Sequence, residues 1–179
     1  MNRKSQSALV SPLRLIGWAL GLLFATTTGF ANAATQTANL DVSATVSANC
    51  SITTAAVAFG TYDPVITNAT TALDSTGTIT TTCTNGASVT ILLGQGSNAN
   101  TGSTDAAPER RMLSGANYLN YQLYSDTSRT VVWGNDTTTD VAETGTGSAV
   151  NTTVYGSVPA GQNVPAGTYS DTVVATVSF

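Results

Sequence analysis

Residues 38–50 read "ANLDVSATVSANC", in which Ala38, Leu40, Val42, Ala44 and Val46 alternate with Asn, Asp, Ser and Thr. A period of two predicts a β-strand with one buried face. The strand stands near the front of the chain, where segments are usually loose and polar. Its apolar side needs a surface to cover, either in its own domain or on another molecule.

Upstream of it, Arg3, Lys4 and Arg14 supply positive charge around "LIGWALGLLFA" (15–25), and "ANA" (31–33) offers small residues at a cleavage site. This predicts an export leader over residues 1–33, removed before Ala34. A retained anchor is the other reading, but the apolar run falls short of the roughly 20 residues needed to span a bilayer. Loss of the leader leaves Arg110, Arg111 and Arg129 against ten acidic residues, a net charge near −7, with no Lys and no His. Binding to nucleic acid is excluded, because neutralising phosphates takes clustered Lys or Arg.

The remaining chain is long enough for one domain with a real core. Low charge and abundant Thr and Val favour pleated sheet. Cys50 and Cys83, an even pair in an exported chain, read as one disulfide. On the chain-entropy view that staple contributes roughly 3–4 kcal/mol.

Further along, "AVAFG" (56–60) predicts a short strand ending in a turn at "DP" (63–64). The runs at 79–83 and 89–93 flank Asn85 and Gly86, which predicts a hairpin. Residues 97–111 read as a polar surface loop. In "YLNYQLYSD" (118–126), Leu119, Tyr121 and Leu123 share one face, and "SRTVVWG" (128–134) is expected to pair with it. "NDTTTDVAETGTGSAV" (135–150) reads as another loop, "NTTVYGSVP" (151–159) as a strand, and "TYSDTVVATVSF" (168–179) as the last strand. There Tyr169, Val173, Ala175, Val177 and Phe179 share a face, with Asp171 as its polar exception. The total is seven to eight short strands and no helix, the spacing of a β-sandwich or barrel. An outer-membrane barrel fits poorly, since it wants longer strands and girdles of aromatic residues.

Catalysis finds little to stand on. Without His, the usual Ser and Cys triads cannot be assembled. Asp136 with Asp140, or Glu109 with Asp105, could be paired for glycoside chemistry. Asp136, Asp140 and Glu143 could be grouped as calcium ligands. All lie in polar stretches where a carboxylate is ordinarily just solvated. We expect no enzyme and no cofactor.

The chain resembles the spore coat protein U family, whose members include pilin subunits of archaic (Csu-type) chaperone–usher fimbriae. The likeness rests on "ANCSI" (48–52), "FGTYDP" (59–64), "ITTTC" (79–83), "YQLYSDTSRTVVWG" (121–134) and "VYGSVPAGQNVPAGTYSDTVVATVSF" (154–179). The resemblance implies an all-β, incomplete immunoglobulin-like sandwich over residues 47–179, preceded by a donor-strand extension over 34–46. Its implied partners are a periplasmic chaperone, an outer-membrane usher and neighbouring pilin subunits. Ala38, Leu40, Val42, Ala44 and Val46 would enter a neighbour's groove, and Val173, Ala175, Val177 and Phe179 would lie along the chaperone. The implied role is a structural fimbrial subunit at the cell surface of a Gram-negative bacterium, serving adhesion and biofilm formation. The alternative is a self-contained secreted binding module, of coat, carbohydrate or surface, whose own first strand completes the sandwich.

Overall fold

A computed structural model describes residues 33–179; the leader expected over 1–33 lies outside them except for Ala33. Among the described residues there is no helix, and eight strands form two antiparallel sheets. They are β1 (Cys50–Ala55), β2 (Leu73–Cys83), β3 (Ser88–Leu93), β4 (Arg110–Ser114), β5 (Asn117–Tyr124), β6 (Val141–Thr144), β7 (Ala149–Val158) and β8 (Ala175–Ser178). One sheet has the order β1-β2-β7-β5-β4 and the other β6-β3-β8. The expectation of an all-β sandwich holds, at the upper end of the strand count.

Alternation builds the core. Leu119, Tyr121 and Leu123 point inward from β5, as do Ile79, Thr81 and Cys83 from β2 and Val89, Ile91 and Leu93 from β3. Between the layers Trp133 is fully buried and donates from Nε1 to the Ile91 carbonyl at 2.9 Å, so its one polar atom is satisfied. Its backbone N–H bonds to Leu123 O, and a bridge links Tyr124 with Val132. The expected pairing of 128–134 with β5 is therefore present, but as a bridge rather than a strand.

The hairpin expected about Asn85 and Gly86 is corrected. The turn exists, with Gly86 at φ +80° and Ala87 N–H on Thr84 O, yet β2 and β3 do not pair. Both edges of β2 are taken by β1 and β7, so the turn carries the chain across to the other sheet. The "AVAFG" strand is also corrected: no strand is assigned to 56–60. Instead Val57 and Phe59 lie over a trough in the large sheet. A Cβ at Gly77 would stand 2.7 Å from Val57, and one at Gly156 would stand 2.6 Å from Val57 and 2.8 Å from Phe59. Glycine within strands here admits a crossing backbone.

One strand, β4, begins in a stretch read as a loop, 97–111, and another, β6, lies wholly within one, 135–150. β4 opens on Arg110, a buried charge held by five hydrogen bonds. It donates from Nη2 to the carbonyls of Leu93, Gly94 and Trp133, from Nε to Gly94 O, and from Nη1 to Gln122 Oε1. Burial draws the guanidinium down to about 10, against the pull of Tyr121 and Asp171, so it stays charged at neutral pH. β6 is short and carries Glu143, whose carboxylate accepts from Thr81 on β2 and Thr152 on β7, a polar tie between the sheets.

Cys50 and Cys83 form a disulfide between directly opposed residues of β1 and β2. This end of the sandwich is called the cystine pole below. The opposite pole lies where Leu73 of β2 faces Val158 of β7.

Candidate functional site

Between the sheets lies an open, largely apolar groove of about 840 Å³. Its floor includes Ile79, Leu119, Tyr121, Leu123 and Val154, and its length runs from the level of Leu93 and Ala175 to Tyr62, Pro64, Leu73 and Val164 at the opposite pole. One wall is the segment 55–62 that continues from β1. The other is the segment 164–175, which touches β4 through a two-bond bridge between Ser170 and Leu113 and then crosses to β8.

The second wall ends in a free strand edge. β8 pairs on one side with β3, in the register Leu93↔Ala175 to Thr90↔Ser178. Gly94 N–H bonds to Val174 O, which makes Val174, Thr176 and Ser178 the residues whose main chain faces β3. By the alternation of an antiparallel ladder, the N–H and C=O of Val173, Ala175 and Val177 point to the other side, where no described residue pairs with them. Those three side chains are also the ones half-buried against the core, whereas Val174 is exposed. The same residues thus present apolar side chains and unpaired main-chain groups. Phe179 is exposed beyond the end of β8.

A polar cluster sits within the apolar wall. Asp171 accepts from the Tyr121 hydroxyl at 2.7 Å and, through its other oxygen, from the Asn98 backbone N–H at 3.1 Å and Nδ2 at 3.0 Å. Burial, reinforced by this bond to Asp171, pushes the Tyr121 phenol far above its usual range, so it remains a neutral donor. The polar exception in the last apolar run is thereby explained as an anchor for the wall.

Residues 38–46 are placed very differently from an in-domain strand. No strand is assigned over 33–49, and Leu40, Val42 and Val46 are 87 %, 86 % and 83 % exposed, with Ala38 and Ala44 exposed as well. Among the described residues, then, one segment carries an alternating apolar face with nothing on it, and one groove has a free edge. The groove walls at Val57, Phe59, Tyr62 and Val164 were not singled out in the sequence, although the alternation of "AVAFG" carries a faint signal for the first two.

At the opposite pole the loop 63–68 is tightly bonded. Asp63 Oδ1 accepts from the N–H groups of Val65 and Ile66, and Asn68, buried, receives the Asp63 N–H on Oδ1 and donates from Nδ2 to Thr71 O. Those backbone bonds lower the Asp63 carboxyl below its usual value. A depressed carboxylate contributes order that is present above the ordinary carboxylate pKa and lost as pH falls through the lowered one. We expect the Val65 and Ile66 amide resonances to titrate together in that acid range, and Asp63→Asn to abolish the titration.

Apart from Asp140, the carboxylates considered for chemistry have other occupations. Asp136 caps its own turn through Thr138, Glu109 accepts from Asn100 Nδ2, Asp105 accepts from Gln95, and Glu143 makes the sheet-to-sheet tie described above. Among the described residues no three acidic or cysteine side chains gather as a metal site.

The sequence model of the Spore Coat Protein U domain matches residues 36–176. Protein U of Myxococcus xanthus is 48% identical over 157 residues, covering 83% of this chain and 88% of that protein. A solved chaperone–tip adhesion subunit pre-assembly complex from archaic chaperone–usher Csu pili of Acinetobacter baumannii contains a chain similar in fold. The TM-score is 0.52 at 23% identity, over 75% of this chain and 40% of that one.

Proposed function

The chain belongs to the Spore Coat Protein U domain family, and from that premise we propose that it is a structural subunit of a surface fimbria, polymerised by donor-strand exchange. The observation that carries this reading is the pairing, in one chain, of an open groove with a free β8 edge and an unpaired alternating segment at 38–46. Strand addition to an open edge takes its affinity from main-chain hydrogen bonds and its specificity from alternate side chains in pockets. The free main chain of Val173, Ala175 and Val177 supplies the former, and Leu40, Val42 and Val46 supply the latter. Seating each of those three contributes about 1.5–3 kcal/mol.

The reading divides the chain into a leader (1–33), a donor extension (34–46) and a pilin domain (47–179). Before assembly the exposed edge is an aggregation hazard. A periplasmic chaperone covers Val173, Ala175, Val177 and Phe179, and an outer-membrane usher exchanges it for the next subunit's extension. The subunit then resides on the cell surface, in attachment and biofilm formation, a role that asks for no catalysis and no cofactor.

The test is an unheated denaturing gel of material sheared from the cell surface, beside a boiled sample. A multimer ladder that collapses on boiling is expected. A single monomer band in both lanes would favour the self-complemented binding module instead.

A further inference from the structure

We infer that the loop carrying Val65 and Ile66 is a contact between consecutive copies of this chain, packing against the cystine pole of the copy that donates its strand. The inference rests on the strand-exchange reading and adds where the donor's body sits and what it touches.

The direction of the donated strand follows from the two poles. β8 runs toward the cystine pole: Ala175 faces Leu93, Ser178 faces Thr90, and β3 begins just after the turn that follows Cys83. A strand added parallel to β8 would end at that pole. The donor's body would then crowd the place where the acceptor's own extension departs, with Asn49 bonded to Thr84 beside the disulfide. An antiparallel strand, which also makes the straighter hydrogen bonds, ends at the opposite pole and leaves the two junctions at opposite ends of each subunit.

The tether between strand and body is short. Only Ser47, Ala48 and Asn49 separate Val46 from Cys50. At about 3.3–3.6 Å per residue, the donor's Cys50 lies no more than roughly 14 Å from the seated Val46. Two folded bodies held that closely must touch. What the acceptor projects there is the 63–68 loop, whose Pro64 lines the groove's end together with the adjacent Tyr62. Its tip shows Val65 and Ile66 at 79 % and 78 % exposed, fixed outward by the Asp63 and Asn68 hydrogen bonds. The donor's facing residues, Ala48, Asn49, Asn85 and Gly147, carry no charge, so an aliphatic pair can cover them without desolvating an ion.

The test uses the full chain, whose cysteines are both in the disulfide, so added thiols are addressable. Ile66→Cys is labelled with a polarity-sensitive maleimide dye, and Ile66→Cys with Ala48→Cys is treated with a short bismaleimide. In unheated multimers the dye should emit to the blue of its position in boiled monomer. The double variant should give a ladder that survives boiling, absent from either single variant. A solvent-like dye and no covalent ladder, with the heat-labile ladder intact, would overturn this contact and leave strand exchange standing. Covalent dimers from Ile66→Cys alone would also overturn it, since they place two loop tips together. No heat-labile ladder in the unmodified chain would remove the strand-exchange reading and this contact with it.

Discussion

Replacing Leu40 and Val42 together with aspartate is expected to abolish the heat-labile ladder while leaving the sandwich folded. Both side chains are almost wholly exposed in the isolated chain, and residues 33–49 contribute no strand to either sheet. The substitutions therefore remove nothing from the domain's own core. In the neighbour's groove they forfeit about 3–6 kcal/mol of apolar burial, a factor of roughly 10² to 10⁴ in the equilibrium. They also bring two carboxylates into a groove whose lining has no cationic side chain and already holds Asp171, which deepens the loss. Monomer with unchanged circular dichroism and unfolding midpoint is the expected product. Val42→Ile, which keeps the apolar face, should preserve the ladder. Multimers of normal heat stability from the aspartate variant would mean that the groove is filled by something other than residues 38–46.

The parts of the fold legible in the sequence were those governed by local alternation. β5 announces itself because Leu119, Tyr121 and Leu123 recur at period two, and the structure buries all three. β4 and β6 were hidden because what fixes them is distant. Arg110 reads as a loop charge until the carbonyls of Leu93, Gly94 and Trp133 converge on it, and Glu143 until Thr81 and Thr152 face it. Asn85 and Gly86 do form a turn, but a turn cannot reveal that β2 already has a neighbour on each side. The groove was legible only by half. The segment with nothing to cover stood out from its pattern, while the wall from 55–62 depends on glycines at 77 and 156 that admit a crossing chain, and the wall from 164–175 lies against Gly94 and Gly96. Composition marks such glycines as strand breakers, and only the neighbouring layer shows their use.

Removing the disulfide by Cys50→Ser with Cys83→Ser is expected to lower stability by about 3–4 kcal/mol, since the bridge closes a sequence separation of 33. For a domain with 5–15 kcal/mol in hand, that is a large share, and it moves the thermal midpoint down by roughly 10 °C. The loss should be local before it is global. Among the described residues β1 is an edge strand paired only with β2, so with the bridge gone it is held at that pole by main-chain bonds, the Asn49–Thr84 bond and the packing of Ile52. Hydrogen exchange should quicken first at Ile52, Thr53 and Thr54. Because the groove wall at 55–62 continues from β1, the same fraying should impair acceptance of a strand more than donation of one. Mixed with wild-type subunits, the variant should therefore cap growing chains: its extension enters a wild-type groove, but its own groove takes the next strand poorly. The position of the bridge has a mechanical consequence as well. In a fibre of the proposed kind, tension would reach each subunit through the extension at Asn49, next to Cys50, and the disulfide would pass it directly to β2, which is paired on both sides. Without the bridge the load peels β1 from β2 one pair at a time. Pulling single fibres of wild-type subunits should thus extend them at higher force under oxidising than under reducing conditions. Equal forces in the two would show that the load enters the domain by another route.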